Sequence, residues 1–459
     1  MTSSFSISEI SNQISDLVPV RHIGRVIRVD AGVVHVRGLT GLARIGDPVT
    51  IYRRSGKLTG EVLRLADDRL VLLPDESPDG VALGDRVALG EASGLSPCDS
   101  WIGRIIDPYG RPLDGRALLR GAKPRPLRGG PPEAGLRRAL GDRLETGTAV
   151  LNTMLPIVRG QRMGLFAGSG VGKSSLLGKL AQSMEADVVV IALIGERGRE
   201  LRHFVDQVLG PEGLARSVIV TATSDRSPIL RRRCAWAAMA VAEHFRDEGH
   251  SVLFLADSIT RFAEAHREVA VAGGEAPVLR GYPPSTAHQI MQLCERAGPG
   301  LGTQGDITGI FSVLVAGSDM EEPIADILRG VLDGHVVLDR AIAERGRFPA
   351  VDVLRSVSRS LPDAAAPSEN ALLMKARRLL SAYDRNSAMI HAGLYVNGSD
   401  PEVDDAIQLW NDLDAFLGKV EQQDIAHSFT QLEVILRRAR SMGSGGARGS
   451  LRPHGEKRA

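Results

Sequence analysis

A chain of 459 residues, 43% hydrophobic and 24% charged, has the make-up of an ordinary globular protein with room for two or three domains. Its formal charge of +1 and 4% aromatic content leave neither a broad electrostatic field for nucleic acid nor a base-stacking platform, so no nucleic-acid partner is expected. Cys98, Cys234 and Cys294 are too far apart to pair as metal ligands, and there is no signal peptide and no run of 18 apolar residues, so a reduced, cytoplasmic protein is expected.

Residues 1–18 are polar apart from a few apolar positions, of which Ile7, Ile10, Ile14 and Leu17 fall on one face of a helix. This segment is read as an amphipathic element that docks a partner. Residues 19–95 carry short β-rich runs, at 24–29, 33–36, 49–52, 61–65 and 69–73, punctuated by Gly and Asp. That texture predicts a small barrel. Residues 96–366 form the next unit, and its Gly-, Pro- and Arg-rich stretch 121–138 reads as a surface connection. From about 140 onward, strands and helices alternate, which predicts a parallel sheet covered on both faces. Within it, 186–194 is a nearly continuous apolar strand. Ser227 as N-cap and Pro228 at the first position open a helix that stops at Gly249, and the strand 252–257 follows. Residues 367–441 are helical in pattern, and 442–459 is a Gly/Ser/Arg tail expected to be disordered. The fold class is therefore α/β, with a central parallel sheet, an N-terminal barrel and C-terminal helices.

The chemistry is concentrated at Ala167-Gly168-Ser169-Gly170-Val171-Gly172-Lys173-Ser174-Ser175, between an apolar strand and a helix. This reads as a phosphate-binding loop. Its glycines let consecutive N–H groups curl around a polyphosphate, at the positive end of a helix. Lys173 reaches the β- and γ-phosphates, and the Ser174 hydroxyl joins a Mg²⁺ shell. Ala167 departs from the glycine the pattern asks for. Asp257, at the end of an apolar strand, places a carboxylate beside the phosphates, where it can hold Mg²⁺ through water. Glu196, just after the strand ending at Ile194, is placed to activate water, with Arg197 beside it. The run Arg231-Arg232-Arg233 is read as a solvated helix face, and His203, His244, His250 and His266 show no metal-ligand spacing.

These segments, together with Pro349-Ala350-Val351-Asp352-Val353-Leu354-Arg355-Ser356-Val357-Ser358 and Ala222-Thr223-Ser224-Asp225-Arg226-Ser227-Pro228, resemble the rotary and secretion ATPase family. Within it the chain is most similar to the flagellum-specific ATPase and its type III secretion relatives, in which Ala at 167 is usual. It departs from them over Ser285–Leu293, where a Phe and a Leu-Pro pair are common. The resemblance implies a P-loop ATPase using ATP and Mg²⁺, with Glu196 catalytic, Lys173, Ser174 and Asp257 as phosphate and metal ligands, and Arg296 on the γ-phosphate. It implies that Phe348 lies against adenine and that Arg359 is a finger entering a neighbour's site, hence a homohexameric ring. It further implies a stator-like regulator on residues 1–18, an export gate, chaperones and secreted substrates as partners, and a station peripheral to the inner membrane. The alternative within the family is a catalytic subunit of a proton-translocating rotary ATP synthase.

Overall fold

Six short strands near the N-terminus alternate buried and exposed side chains, and they close on themselves. The computed structural model describes residues 21–442, apart from 31, 91–93 and 316–319, so the docking segment 1–18 and the tail lie outside the described residues. Strands β1 (Ile23–Asp30), β2 (Val33–Arg37), β3 (Pro48–Arg53), β4 (Gly56–Leu65), β5 (Leu70–Pro74) and β6 (Arg86–Leu89) form a closed antiparallel barrel in the order β1-β2-β5-β4-β3-β6. Val34, Val36, Ile51, Val62, Leu72 and Val87 fill its interior with no exposed surface. Alternation with period two puts them all on the inner face, and closure leaves no free edge.

The next nine strands build one sheet: β7 (Arg104–Ile106), β8 (Arg162–Ala167), β9 (Val188–Ile194), β10 (Ser217–Ala222), β11 (Ser251–Asp257), β12 (Gly298–Pro299), β13 (Asp306–Leu314), β14 (Gly334–Leu338) and β15 (Val351–Ser358). Their order is β15-β14-β8-β13-β11-β9-β10-β7, parallel from β14 to β7, with β15 antiparallel to β14 and β12 antiparallel to β13. Every residue of β9, β10 and β11 is buried. That explains why these strands read as continuous apolar runs. Alternate residues of β9 serve two cores. Val189, Ile191 and Leu193 face the P-loop helix Lys173–Ser183 and the C-terminal helices. Val188, Val190 and Ala192 face the helices Pro228–Asp247, Ile259–Ala272 and Ser285–Glu295. Ser227 caps the first of these three, its side chain accepting from Leu230 N, and Gly249 with φ of +95° follows its end.

Three helices, Pro367–His391, Pro401–Leu417 and Ile425–Met442, complete the described residues, and Leu380, Leu409, Leu413 and Leu432 join the core beneath β8. Backbone bonds from Ala149 N to Lys419 O and from Glu421 N to Gly147 O, both 3.0 Å, stitch them to the central unit.

The arginine run 231–233 is not a solvated face. Arg232 is 6% exposed and donates to Glu61 of the barrel at 3.0 Å, as does Arg128. Both guanidinium planes lie over Trp236, at 4.4 and 4.9 Å from its ring centre. Arg233 donates to Pro108 O and covers Tyr109. A helix face that must meet the barrel can carry charge because a carboxylate and aromatic faces receive it. Glu61→Ala strands Arg232 without its counter-charge, and is expected to destabilise the barrel–ATPase junction by about 3–5 kcal/mol. A fall in the urea midpoint of the full chain checks this, and an unchanged midpoint contradicts it.

Candidate active site

Parallel strands gather their C-terminal ends on one rim of a sheet, and the order β8-β13-β11-β9 sets four loops side by side there. β8 delivers the P-loop. Gly170 and Gly172 have φ of +77° and +88°, a region that only glycine enters without strain. Gly172 leads directly into the helix Lys173–Ser183. Ala167 needs no such freedom: it is the last residue of β8, paired with Leu314 and Leu338, and its methyl is buried in the core. That is why the departure from glycine is tolerated. Gly168, Ser169 and Val171 line an opening on one side of the loop, while Ser174 and Ser175 are exposed at the start of the helix.

Lys173 and Asp257 are both buried, at 8% and 3% exposure, and the ammonium donates to Asp257 Oδ1. Ser312 of β13 donates to the same oxygen at 2.7 Å. A hydroxyl and a lysine thus fix the carboxylate at the end of β11. Next to it, Gly195 turns the chain after β9 with φ of +69°, and Glu196 follows, its backbone oxygen accepting from Ser224 N at 3.0 Å. Glu196 is half-buried and shares a cleft with Ser174, Glu200, Phe204 and Asp257. Burial, a hydrogen bond shared with Glu200 and the Asp257 charge push its carboxyl up to about 7, against the opposing pull of Lys173. A carboxylate poised near neutrality is what a general base needs.

Phe348 is 52% exposed, with ring carbons 3.1 and 3.2 Å from where a Cβ on Gly172 would stand. Its ring therefore rests on the P-loop with one face open. Arg197 lies beside Glu196 in sequence, but its guanidinium is exposed and 3.8 Å from Glu200, and it does not line the cleft.

Arg296 does not join the group. It precedes β12, at the rim where β13 begins, whereas the P-loop lies where β8 and β13 end. It is 1% exposed, makes a two-point pair with Glu243 at 2.7 and 2.8 Å, and donates to Leu127 O. Burial with a matched carboxylate makes it a structural arginine, and the expected γ-phosphate contact is not available to it here. Arg261, to which the sequence reading gave no role, takes a nearer place. Its Cβ and Cγ would stand 3.4 and 3.5 Å from a Cβ on Gly195, and it lines the opening beside Gly168 and Ser169. The available signal was position, since Arg261 lies in the first turn of the helix Ile259–Ala272 that directly follows Asp257.

Arg359 is exposed and follows β15, at the rim where β8 and β14 begin. Its backbone N donates to Asp333 O, and its guanidinium donates to Arg329 O at 3.1 Å. It is on the opposite side of the sheet from its own P-loop.

Comparison with known proteins agrees with this architecture. Residues 147–358 match the nucleotide-binding domain of the ATP synthase alpha/beta family, and residues 365–434 match the C-terminal domain of the type III secretion ATPase EscN. The flagellum-specific ATP synthase of Caulobacter vibrioides is 45% identical over 91% of this chain and 96% of its own length. That of Bacillus subtilis is 42% identical over 86% and 91%. The assembled ATPase EscN from the type III secretion system of enteropathogenic E. coli superposes with a TM-score of 0.82 at 34% identity, over 90% of this chain and all of EscN. Barrel, P-loop sheet and C-terminal helices are thus shared, and the chain belongs to the ATP synthase alpha/beta family, as a P-loop ATPase of its flagellum-specific and type III secretion branch.

Proposed function

We propose that the chain hydrolyses ATP at seams between identical copies in a homohexameric ring and so energises protein export through a flagellar-type secretion apparatus. The observation that carries the reading is the meeting of Lys173, Asp257 and a Glu196 held near neutrality on one sheet rim. The P-loop N–H groups and Lys173 take the phosphates, Glu196 accepts a proton from the attacking water, and Phe348 offers its open face to adenine. Arg261 stands on the phosphate side of Gly195, where it can balance γ-phosphate charge, with Arg197 at the edge. Ser174 and Asp257 are hard oxygen donors at one cleft and fit Mg²⁺. These two residues would hold the cation, and the chemistry it would supply there is neutralisation of phosphate charge.

Arg359 cannot serve its own cleft from the opposite rim, which supports its use as a finger in a neighbour's. A structure of EscN has been described in complex with its central stalk EscO. By analogy, the C-terminal helices of this chain face a stalk. The ring would sit peripheral to the inner membrane, with the export gate, chaperones and secreted substrates as partners and a stator-like regulator on residues 1–18. Among the described residues no helix is long and apolar enough to cross a membrane. The flagellum-specific relatives favour this reading over a proton-translocating rotary synthase.

Glu196→Gln is expected to lower kcat by about 10²–10⁴ while ATP still binds, measured by steady-state hydrolysis and by nucleotide binding. The wild-type kcat/KM falls as pH drops through about 7, because Glu196 then takes up a proton. The stability effect has the opposite sense. The unfolded carboxyl ionises near 4.5 and the folded one near 7, so rising pH between these values weakens the folded state. The melting temperature of Glu196→Gln should therefore gain on wild type from about pH 4.5 to 7 and hold that gain above; a pH-independent difference opposes the assignment. Arg359→Ala should lose about 10³–10⁵ in rate, and mixing it with Glu196→Gln should recover part of the activity, since mixed seams can pair an intact Glu196 with an intact Arg359. Mixtures no more active than the separate variants argue against a shared site.

A further inference from the structure

Phe348 is held by more than its own strand. Its neighbour Arg347 is 9% exposed; the guanidinium donates to Val351 O at 2.9 Å and to Pro349 O at 3.4 Å, and its Nε lies 3.0 Å from Asp414 Oδ1. Asp414 belongs not to the ATPase sheet but to the C-terminal helix Pro401–Leu417. Positions four residues before and after it, on the same face, meet the same segment. Arg345 lies over the Trp410 ring at 5.9 Å and comes within 3.8 Å of Asp414. At Gly418 a Cβ would stand 3.2 Å from Arg347 Cγ and 3.4 Å from Phe348 O, so the absence of a side chain lets the helix end lie close to the Phe348 backbone. Trp410 is itself clamped, stacked on Tyr383 of the helix Pro367–His391 at 3.8 Å and 8°. At the other end of this chain of contacts, the Phe348 ring rests on Gly172 of the P-loop.

We propose that the Trp410, Asp414 and Gly418 face is a strut that positions Phe348 against the nucleotide base, so that the placement of the C-terminal helices sets the affinity of the cleft for ATP. The proposal rests on the reading of Phe348 as the adenine wall. Asp414 touches no part of the nucleotide; it is a positioning residue that acts through Arg347. Without its carboxylate the buried guanidinium loses a counter-charge, and residues 345–349 relax away from the P-loop. The phosphates, held by the loop itself, are not affected.

The test uses the full-length chain under assembling conditions, with ATP as substrate and inorganic tripolyphosphate, which has phosphates but no base, as competitor. Asp414→Asn keeps the shape and removes the charge. It should raise KM for ATP about fivefold, at the low end of what a lost base–aromatic stack costs, with kcat shifted far less and tripolyphosphate inhibition unchanged. Arg347→Lys, which keeps the charge but not the fork, should give the same pattern. In a Phe348→Ala background Asp414→Asn should add nothing further, because both act through one ring. The strut is overturned if KM for ATP stays at the wild-type value in Asp414→Asn while Phe348→Ala raises it. It is overturned equally if tripolyphosphate binding weakens in step with ATP, or if the two substitutions add. If Phe348→Ala itself leaves KM for ATP unchanged, the adenine reading fails and the strut fails with it.

Discussion

The structure turns on a lysine and a carboxylate withdrawn from water at the bottom of one cleft. Lys173 and Asp257 come from different strand–loop units, and each would be costly to bury alone. They are held together by the sheet order: β13 lies between β8 and β11, and its Ser312 supplies the additional hydrogen bond. The apolar runs of β9, β10 and β11 are the stiff support that this arrangement needs. The same local charge reaches Glu196, where Asp257 pushes the carboxyl toward neutrality and Lys173 pulls against it. The placement of one ion pair thus tunes the neighbouring carboxyl.

Both outlying domains grip the ATPase unit through segments that also carry site residues. The barrel holds the helix Pro228–Asp247 by Glu61, and that helix starts just after the loop whose Ser224 N bonds Glu196 O. The C-terminal helices hold Arg347, next to Phe348. Each outer domain is thus bonded to a segment that leads directly to a residue of the candidate site.

What could be read from the sequence divides along chemical lines. The P-loop, the Glu196 turn and Asp257 were legible because each is local, a glycine pattern or a carboxylate placed at the end of an apolar strand. The barrel was legible from short β-rich runs punctuated by Gly and Asp, and the layered sheet from alternating strands and helices whose central strands are apolar throughout, because two cores bury both faces. Arginines were not legible. Arg296 pairs with Glu243, 53 residues away, and Arg232 with Glu61, 171 residues away. Sequence gives the charge of such a side chain but not its direction. Arg261 was within reach, because it stands in the first turn of the helix that directly follows the strand ending at Asp257.

The station of Arg359 has a consequence for the life of the chain before assembly. Cleft and guanidinium lie on opposite rims of the sheet, so if Arg359 enters a neighbour's cleft as proposed, each copy offers a socket and a plug for head-to-tail contact. On that proposal a solitary copy would lack a guanidinium at its own cleft and would turn over little ATP. Turnover would then climb more steeply than in proportion to the amount of protein, and newly made subunits would do little burning until they are mustered.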